Sequence, residues 1–439
     1  MRTVLLSSLF SLIPAIQTTD NRFLASLSSP VAIEIYLGIL MLLIALLSGY
    51  ILIALHTIRR NTESLQDDAS GTKQEKKKRH GEPRFSALSR IDETEKTVAP
   101  GTGEEKPLHV LCQDFRHFAA SRLGLYYDVA DIRRFVAGMG VGRLILLRGM
   151  SGTGKTSLAY AAGEFFGNPA TVVPIQPMWK ERSDIIGYFN EFTKRFNETP
   201  LLCKLYEAGD REEVYITVLD EVNISRIEYY FAEFLSLLEL PDPKKRELVV
   251  VSDAWDNDPK GLHEGKLLLP ENMWFVGTAN NDDSTFSISD KVYDRAAVID
   301  LEKKSTPFHA ADTPPSTVTY AGLTKRFAEA KEQYCLSKTG RAKLMVLDRY
   351  LAEVFRVSFG NRIMRQIEEY VPIMLACGGS EDGALDDMLS RKILRKLEQL
   401  SPTFVRNEIP ALLALLDEQF GPEALPLCRE FLRRLVQSA

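Results

Sequence analysis

The chain has 439 residues, of which 45% are hydrophobic, 9% are aromatic and 26% are charged, and this composition excludes a wholly disordered protein. The formal net charge of −5 is uneven, since residues 1–107 carry 13 Lys and Arg against 12 Asp and Glu, whereas residues 108–439 carry 41 against 47. An acidic main body does not indicate a protein that binds nucleic acid non-specifically, because affinity for the phosphate backbone comes mainly from Lys and Arg. Nucleic-acid binding through a local basic groove stays open.

Residues 1–34 are predicted to be an extracytoplasmic or signal-like segment. Their apolar run, Val4–Ile16, is about as long as the core of a signal peptide and is interrupted by Pro14. Only Arg2 precedes the run, and no clear A-x-A cleavage site follows it. Cleavage, an interfacial helix and a disordered tail therefore all stay open.

Residues 35–55 are predicted to form a transmembrane helix. This run contains no formal charge, and as an α-helix it would be about 31 Å long, enough to cross the hydrocarbon core of a bilayer. Lys and Arg cluster after it, whereas only Arg2 and Arg22 precede it. Because positive residues stay on the cytoplasmic side, we expect a single-pass protein of the bacterial inner membrane with its main body in the cytoplasm. Five scattered cysteines without a C-x-x-C pair agree with a reducing compartment.

Residues 56–107 are predicted to be a flexible, basic and polar linker. The segment is rich in Ser, Glu, Lys and Gly and has few large apolar residues, so it cannot offset the entropy of ordering. Its run Glu75–Arg79 is a solvated stretch in the simplest interpretation. Beside anionic lipid headgroups the same run would hold the linker against the membrane.

A phosphate-binding loop is predicted at Gly149–Thr156, which reads G-M-S-G-T-G-K-T. A strand pattern over Arg143–Arg148 precedes it and a helical pattern over Ser157–Phe166 follows it, in the order that a P-loop requires. The glycines allow backbone N–H groups to curl around phosphate, Lys155 would reach the β- and γ-phosphates, and the Thr156 hydroxyl would bind Mg²⁺. The predicted phosphate-binding residues are Gly149, Ser151, Gly152, Thr153, Gly154, Lys155, Thr156 and Ser157.

An acidic pair follows the next strand pattern, Val214–Leu219. Asp220 would orient Mg²⁺ and contribute to nucleotide binding, and Glu221 would polarise the attacking water. Such a pair is often only a favourable helix N-terminus, but its position after a P-loop favours a catalytic role. A third strand pattern, Met273–Thr278, leads to Asn280 in a stretch that is a plain turn in the simplest interpretation.

From about Leu108 to Leu416 the sequence resembles AAA+ ATPases, and within them the MoxR/McrB-like branch. The stretch Leu219–Phe231 is similar to the Walker B helix of bacterial McrB-like proteins, and Phe275–Leu301 is similar to their sensor region. The resemblance implies an α/β P-loop fold, with a parallel sheet flanked by helices and a helical C-terminal lid. We expect an AAA+ core over residues 108–305.

The resemblance implies roles for three further residues. Asn280 matches the sensor-1 residue, which holds the attacking water beside Glu221. Arg295 matches the arginine finger, which reaches the nucleotide of the neighbouring subunit, so hydrolysis needs a ring. Arg362 is similar to the sensor-2 arginine that contacts nucleotide, with Arg365 as the second candidate, and an ordinary surface salt bridge is the simpler interpretation for each arginine.

The expected cofactors are ATP and Mg²⁺. McrB restriction proteins, which use GTP, read T-M-N-T-A-D where this chain reads T-A-N-N-D-D over residues 278–283, and no guanine-reading N-K-x-D motif is evident. The sequence therefore favours ATP and leaves GTP open.

The C-terminal region is predicted to be a helical lid over residues 323–439, joined to the core by a connector over residues 306–322. The connector contains two adjacent prolines, Pro314–Pro315. Apolar residues recur with helical spacing in the lid, for example over Leu344–Phe355 and Lys392–Leu397.

Together these features predict a membrane-anchored AAA+ ATPase that assembles with itself into a ring of six subunits. Hydrolysis would remodel or activate a partner, an effector or substrate protein of unknown identity, in one interpretation within a defence system. Two alternatives stay open: a nucleotide-switched oligomeric scaffold that recruits an effector, and a McrB-like NTP-dependent restriction motor that works with a nuclease. All three use the same residues, so the sequence discriminates poorly among them.

Overall fold

The structure is a computed structural model that describes residues 83–94, 106–280, 285–302 and 304–438. The signal-like segment 1–34 and the span 35–55 lie outside these residues, and both stay predictions. Within the described part of the chain, no helix combines the length and the apolar character that crossing a bilayer requires.

The strands of the described chain form one central sheet and two hairpins. In chain order they are β1 (Leu144–Gly149), β2 (Thr171–Pro174), β3 (Gly187–Asn190), β4 (Arg195–Glu198), β5 (Tyr215–Asp220), β6 (Glu247–Val249), β7 (Lys266–Leu268), β8 (Met273–Asn280) and β9 (Ala297–Asp300). The sheet has the order β2-β5-β8-β1-β9 and all of its strands are parallel. Strands β3 and β4 pair antiparallel, as do β6 and β7.

Helices surround the sheet and continue to the C-terminus. They are α1 (Ala87–Glu93), α2 (Leu108–Leu123), α3 (Val129–Val141), α4 (Lys155–Phe165), α5 (Arg182–Ile186), α6 (Pro200–Ala208), α7 (Ile227–Tyr230), α8 (Ala232–Leu237), α9 (Asp290–Tyr293), α10 (Tyr320–Gln333), α11 (Lys338–Tyr350), α12 (Gly360–Ala376), α13 (Glu381–Met388), α14 (Pro402–Phe420) and α15 (Pro426–Ser438). The predicted parallel α/β sheet with flanking helices and a helical C-terminal region is confirmed.

Both faces of the sheet are buried, which explains its nearly continuous apolar strands. Successive side chains of a strand point to opposite faces. In β1, Ile145 and Leu147 join the core formed with α2, α3, α4 and the C-terminal helices, whereas Leu144 and Leu146 join the core formed with α6, α7, α8 and the hairpins. A parallel sheet covered on both faces needs apolar residues at almost every position.

The C-terminal helices are interrupted by tighter and wider turns. The predicted helix over Leu344–Phe355 is α11 up to Tyr350, and Leu351–Phe355 wind as a π-helix. The predicted helical stretch Lys392–Leu397 lies across a π-helical turn, Leu389–Ile393, and a 3₁₀ turn, Leu394–Gln399. These last two turns form the segment that we call the basic turn, residues 389–399.

The predicted flexible linker does not extend through residues 83–94, which dock on the hairpins. Arg84, 1% exposed, donates from Nε and Nη2 to the carboxylate of Asp258 at 2.7 and 2.6 Å, and its guanidinium lies 4.4 Å from the ring centre of Trp255. One carboxylate, that of Glu198, accepts the backbone N–H groups of residues 86, 87 and 88 at 2.8 Å each. Long-range partners therefore order a segment whose average composition favours disorder.

Candidate functional site

The P-loop lies between β1 and α4, at the carboxyl edge of the sheet. Gly149 has φ +149°, and a Cβ atom there would lie 2.2 Å from the carbonyl oxygen of Leu301. Gly154 has φ +90° and accepts a hydrogen bond at its carbonyl from the Tyr127 hydroxyl at 3.0 Å. Side chains are excluded or strained at both positions, so the loop backbone is left open to approach by a phosphate.

Lys155 begins α4 and folds back over the loop that precedes it. Its Nζ donates to the carbonyl oxygens of Gly149 at 3.0 Å and Met150 at 2.7 Å, and the residue is only 6% exposed. A buried ammonium group inside a curled loop of backbone amides is a centre that suits the oxygens of a triphosphate. The residues present therefore fit the predicted nucleotide.

Asp220 joins the P-loop to the strand beside it. Its Oδ1 atom accepts hydrogen bonds from the hydroxyls of Thr156 and Thr278, each at 2.8 Å. Thr278 is 2% exposed and also accepts the backbone N–H of Glu221 at 2.9 Å. A hydroxyl and a carboxylate at this edge are hard oxygen ligands of the kind that Mg²⁺ prefers, so the donor set fits that ion.

Glu221 and Asn280 meet at the carboxyl ends of β5 and β8. Glu221 is exposed and has φ +57°, a left-handed conformation that costs a residue with a side chain about 1 kcal/mol or more. The Asn280 Nδ2 atom lies 3.4 Å from Glu221 Oε1. The pair can therefore hold a water molecule between a carboxylate that accepts its proton and an amide that orients it.

Asn223 holds the end of β8, where Asn280 lies, and its role was not predicted. It is 6% exposed, and its Nδ2 donates to the Asn280 carbonyl at 2.8 Å and to the Thr285 hydroxyl at 2.9 Å. Thr278, the shared hydroxyl at Asp220, was also missed. Both residues lie inside the stretches that resemble AAA+ proteins, so the signal was present but did not indicate what each side chain contacts.

Arg295 and Arg362 lie at the opposite, amino edge of the sheet. Both guanidinium groups bind the carboxylate of Glu239, Arg295 at Oε2 and Arg362 at Oε1. Arg365 lines the same cleft, which has a volume of about 570 Å³. The structure thus brings the two predicted arginines together and keeps both away from the P-loop of their own chain.

A buried ionic network links the P-loop strand to the basic turn. Arg148, the residue before Gly149, donates from Nε to Asp300 at 2.8 Å, and Arg391 donates to the other oxygen of Asp300 at 3.0 Å. Burial raises the pKa of Asp300, but the two guanidinium groups outweigh this effect and hold its pKa below the usual range. The carboxylate therefore stays charged and joins the core to the C-terminal helices.

Residues 144–296 match the family model described as the AAA domain of the dynein-related subfamily. This span contains the P-loop, Asp220, Glu221, Asn280 and Arg295. The chain therefore carries an AAA-type nucleoside triphosphatase domain. A comparison of the sequence with proteins of curated function found no match.

Solved structures of two other proteins are similar at low identity. One, from Cytophaga hutchinsonii, has had an ATPase function ascribed to it; it is 13% identical, with a TM-score of 0.45 over 70% of this chain and 92% of that one. The other, a full-length MCM homologue from Methanopyrus kandleri, is 10% identical, with a TM-score of 0.37 over 64% of this chain and 59% of that one. At these values neither likeness bears on activity or assembly.

Proposed function

We propose that this chain is a Mg²⁺-dependent ATPase of the MoxR/McrB-like branch, anchored in the inner membrane by residues 35–55, whose subunits complete one another's active sites in a ring. The observation that carries the proposal is the division of charged groups between the two edges of one sheet. The P-loop, Asp220, Glu221 and Asn280 lie at the carboxyl edge, and Arg295 lies at the amino edge.

At the carboxyl edge, each group has a distinct task in hydrolysis. Lys155 and the loop amides would bind the β- and γ-phosphates, and Thr156 and Asp220 would hold Mg²⁺, directly or through water. When bound, Mg²⁺ neutralises charge that develops on the phosphate oxygens. Glu221 would accept a proton from the attacking water while the Asn280 amide orients that water. The water oxygen bonds to the γ-phosphorus as the bond between that phosphorus and the β–γ bridging oxygen breaks, which gives ADP and inorganic phosphate.

The finger arginine cannot serve the active site of its own chain. Ala297, two residues after Arg295, pairs with Ile145, which is four residues from Gly149 along β1. At about 3.3 Å per residue, the P-loop begins about 13 Å along β1 from Ile145 and its partner Ala297. The Arg295 guanidinium binds Glu239 at the other edge of the sheet. A neighbouring chain must therefore supply the arginine.

Contact between opposite edges of two subunits is head-to-tail, and such contacts form a ring when the rotation closes. We propose six subunits, with the predicted spans concentrating the ring at the membrane. Hydrolysis would then remodel or activate a protein partner there, and a role in defence is one setting for such an activity.

The experiment is steady-state hydrolysis of ATP and GTP by the full-length chain in detergent. Lys155→Ala and Arg295→Ala should each lower turnover by about 10³-fold. A mixture of the two variants should regain activity, because an Arg295→Ala subunit supplies the intact P-loop and a Lys155→Ala subunit supplies the arginine. Equal turnover in wild type, Lys155→Ala and Arg295→Ala would overturn the proposal. An inactive mixture of the two variants would also overturn it if both variants still assemble.

A Glu221→Gln variant separates a motor from a nucleotide-operated switch. It should bind ATP but hydrolyse it about 10²- to 10⁴-fold more slowly. If the assembled, ATP-bound variant still recruits and activates the partner, the chain is a switch. Loss of the partner's remodelling supports the motor.

A further inference from the structure

The cleft at the amino edge of the sheet holds a charge arrangement that the proposed reaction does not explain. Glu239 follows α8, and its two carboxylate oxygens are divided between Arg295 and Arg362. Arg295 comes from the segment before β9 and Arg362 from the start of α12, so one carboxylate ties two distant parts of the chain together. Two positive charges share one negative charge.

Arg295 is withdrawn into its own subunit. Its side chain is 14% exposed, and its Nη1 atom donates to the Lys291 carbonyl at 2.6 Å. The Nε atom is buried and has no hydrogen-bond partner among the described residues. A buried donor without a partner is costly, so this arrangement leaves a hydrogen bond to be gained elsewhere.

A phosphate group competes for these arginines with the same chemistry as a carboxylate. Guanidinium groups bind carboxylate and phosphate oxygens in similar forked geometries, and a γ-phosphate carries more charge than Glu239. Arg362 is 52% exposed and faces the same open cleft, so an incoming phosphate can reach it.

We propose that Glu239 is a positioning residue that holds Arg295 and Arg362 within their own subunit until the nucleotide of a neighbouring subunit displaces it. This inference rests on the proposed function, because it takes the trans role of Arg295 as given. Glu239 thus opposes assembly-dependent hydrolysis at low subunit concentration, and a triphosphate in the neighbouring P-loop is the ligand that relieves it.

The test compares the protein concentration at which turnover per subunit is half-maximal for full-length wild type, Glu239→Gln and Glu369→Gln in detergent. Glu369 lines the same cleft but pairs with Lys331 at 3.4 Å, so it is the matched control. The Glu239→Gln midpoint should be at least about fivefold lower than that of wild type, and the Glu369→Gln midpoint should be unchanged. Glu239→Asp, which keeps the charge, should return the midpoint towards the wild-type value.

The double variant Glu239→Gln, Arg295→Ala shows whether the effect passes through the arginine, and it should be as inactive as Arg295→Ala alone. An unchanged or higher midpoint for Glu239→Gln overturns the inference while leaving the proposed function intact. A lower midpoint for Glu369→Gln also overturns it, because removal of any negative charge from the cleft would then have the same effect as removal of the Glu239 carboxylate. No Arg295-dependent hydrolysis in wild type at any concentration overturns both proposals.

Discussion

At the scale of single residues, the Thr278 hydroxyl links Asp220 to Glu221. It donates to Asp220 Oδ1 at 2.8 Å and accepts the Glu221 backbone N–H at 2.9 Å. Because Glu221 has a left-handed conformation, this one hydrogen bond helps to hold its backbone where the carboxylate meets Asn280. A single buried oxygen therefore aligns both acidic residues.

We predict that Thr278→Val lowers the kcat for ATP hydrolysis on the order of 10²-fold, because valine keeps the shape of the side chain but removes both hydrogen bonds. Thr217→Val is the matched control. Thr217 is also a buried threonine of the central sheet, 1% exposed, but within the described part of the chain its hydroxyl hydrogen-bonds only to the Met273 sulfur, at 3.4 Å. Equal kcat values for the two variants, measured with saturating ATP and Mg²⁺, would contradict the alignment role of Thr278.

The candidate site was predictable from sequence where its function depends on local pattern. The P-loop needs a strand, glycines and a helix in succession, and all of these lie between Leu144 and Phe165. The position of Glu239 between Arg295 and Arg362 was not predictable from the sequence. Arg295 is 56 residues away from Glu239 along the chain, and Arg362 belongs to a different helix. Sequence pattern does not indicate which distant charges pair.

The basic turn, residues 389–399, is the element whose side chains form ion pairs with the segment around Arg295. Arg391 binds Asp300, Arg395 binds Asp290 and lies 3.7 Å from the ring centre of Tyr293, and Lys396 lies 3.9 Å from Asp294. The π-helical turn carries Arg391 and the 3₁₀ turn carries Arg395 and Lys396, so the three side chains that contact the core come from turns that depart from regular α-helix. Movement of the C-terminal helices would therefore be transmitted to the arginine.

Lys392 is a buried lysine of this turn, and it makes the stability of the chain depend on pH. It is 4% exposed and donates to Gln366 Oε1 at 2.8 Å. Burial lowers its pKa to about 7, while the carboxylate of Asp294 opposes the shift and Arg362, Lys396 and Arg395 add to it. In the unfolded chain the pKa returns to about 10.5, so between these pH values unfolding takes up a proton.

We predict that the free energy of unfolding of wild type rises with pH between 7 and 10, by up to about 1.4 kcal/mol per pH unit, relative to Lys392→Met. Urea unfolding at several pH values measures the difference. The exposed Lys338 supplies the control, because Lys338→Met should keep the wild-type pH dependence. The same slope in wild type and Lys392→Met would show that Lys392 stays protonated when folded.

At the scale of the whole molecule, the docked segment 83–94 contacts both hairpins. Glu198, the last residue of β4, binds the start of α1, and Asp258, between β6 and β7, binds Arg84. Asp92 near the other end of α1 accepts the Tyr206 hydroxyl at 2.6 Å. Composition predicted a linker here because it averages over residues, and it could not show that Phe85 and Leu88 are fully buried.

We predict that Arg84→Met releases this segment, because Asp258 loses the cation that neutralises it. Hydrogen exchange of the backbone amides of residues 86–88 should become at least about tenfold faster in the full-length chain. Arg90 is exposed on the same helix, and Arg90→Met should leave the exchange rates unchanged. Unaltered protection in Arg84→Met would mean that Phe85 and Leu88 hold the segment without the ion pair.

The placement of the P-loop and Arg295 at opposite edges of the sheet has a genetic consequence in the proposed ring. Each subunit takes part in two active sites, one through its nucleotide and one through its arginine. A subunit that lacks only Arg295 inactivates the active site of its neighbour and keeps its own active site. A subunit that lacks both Lys155 and Arg295 inactivates two active sites. Co-expressed with wild type, the double variant should therefore be the more strongly dominant allele.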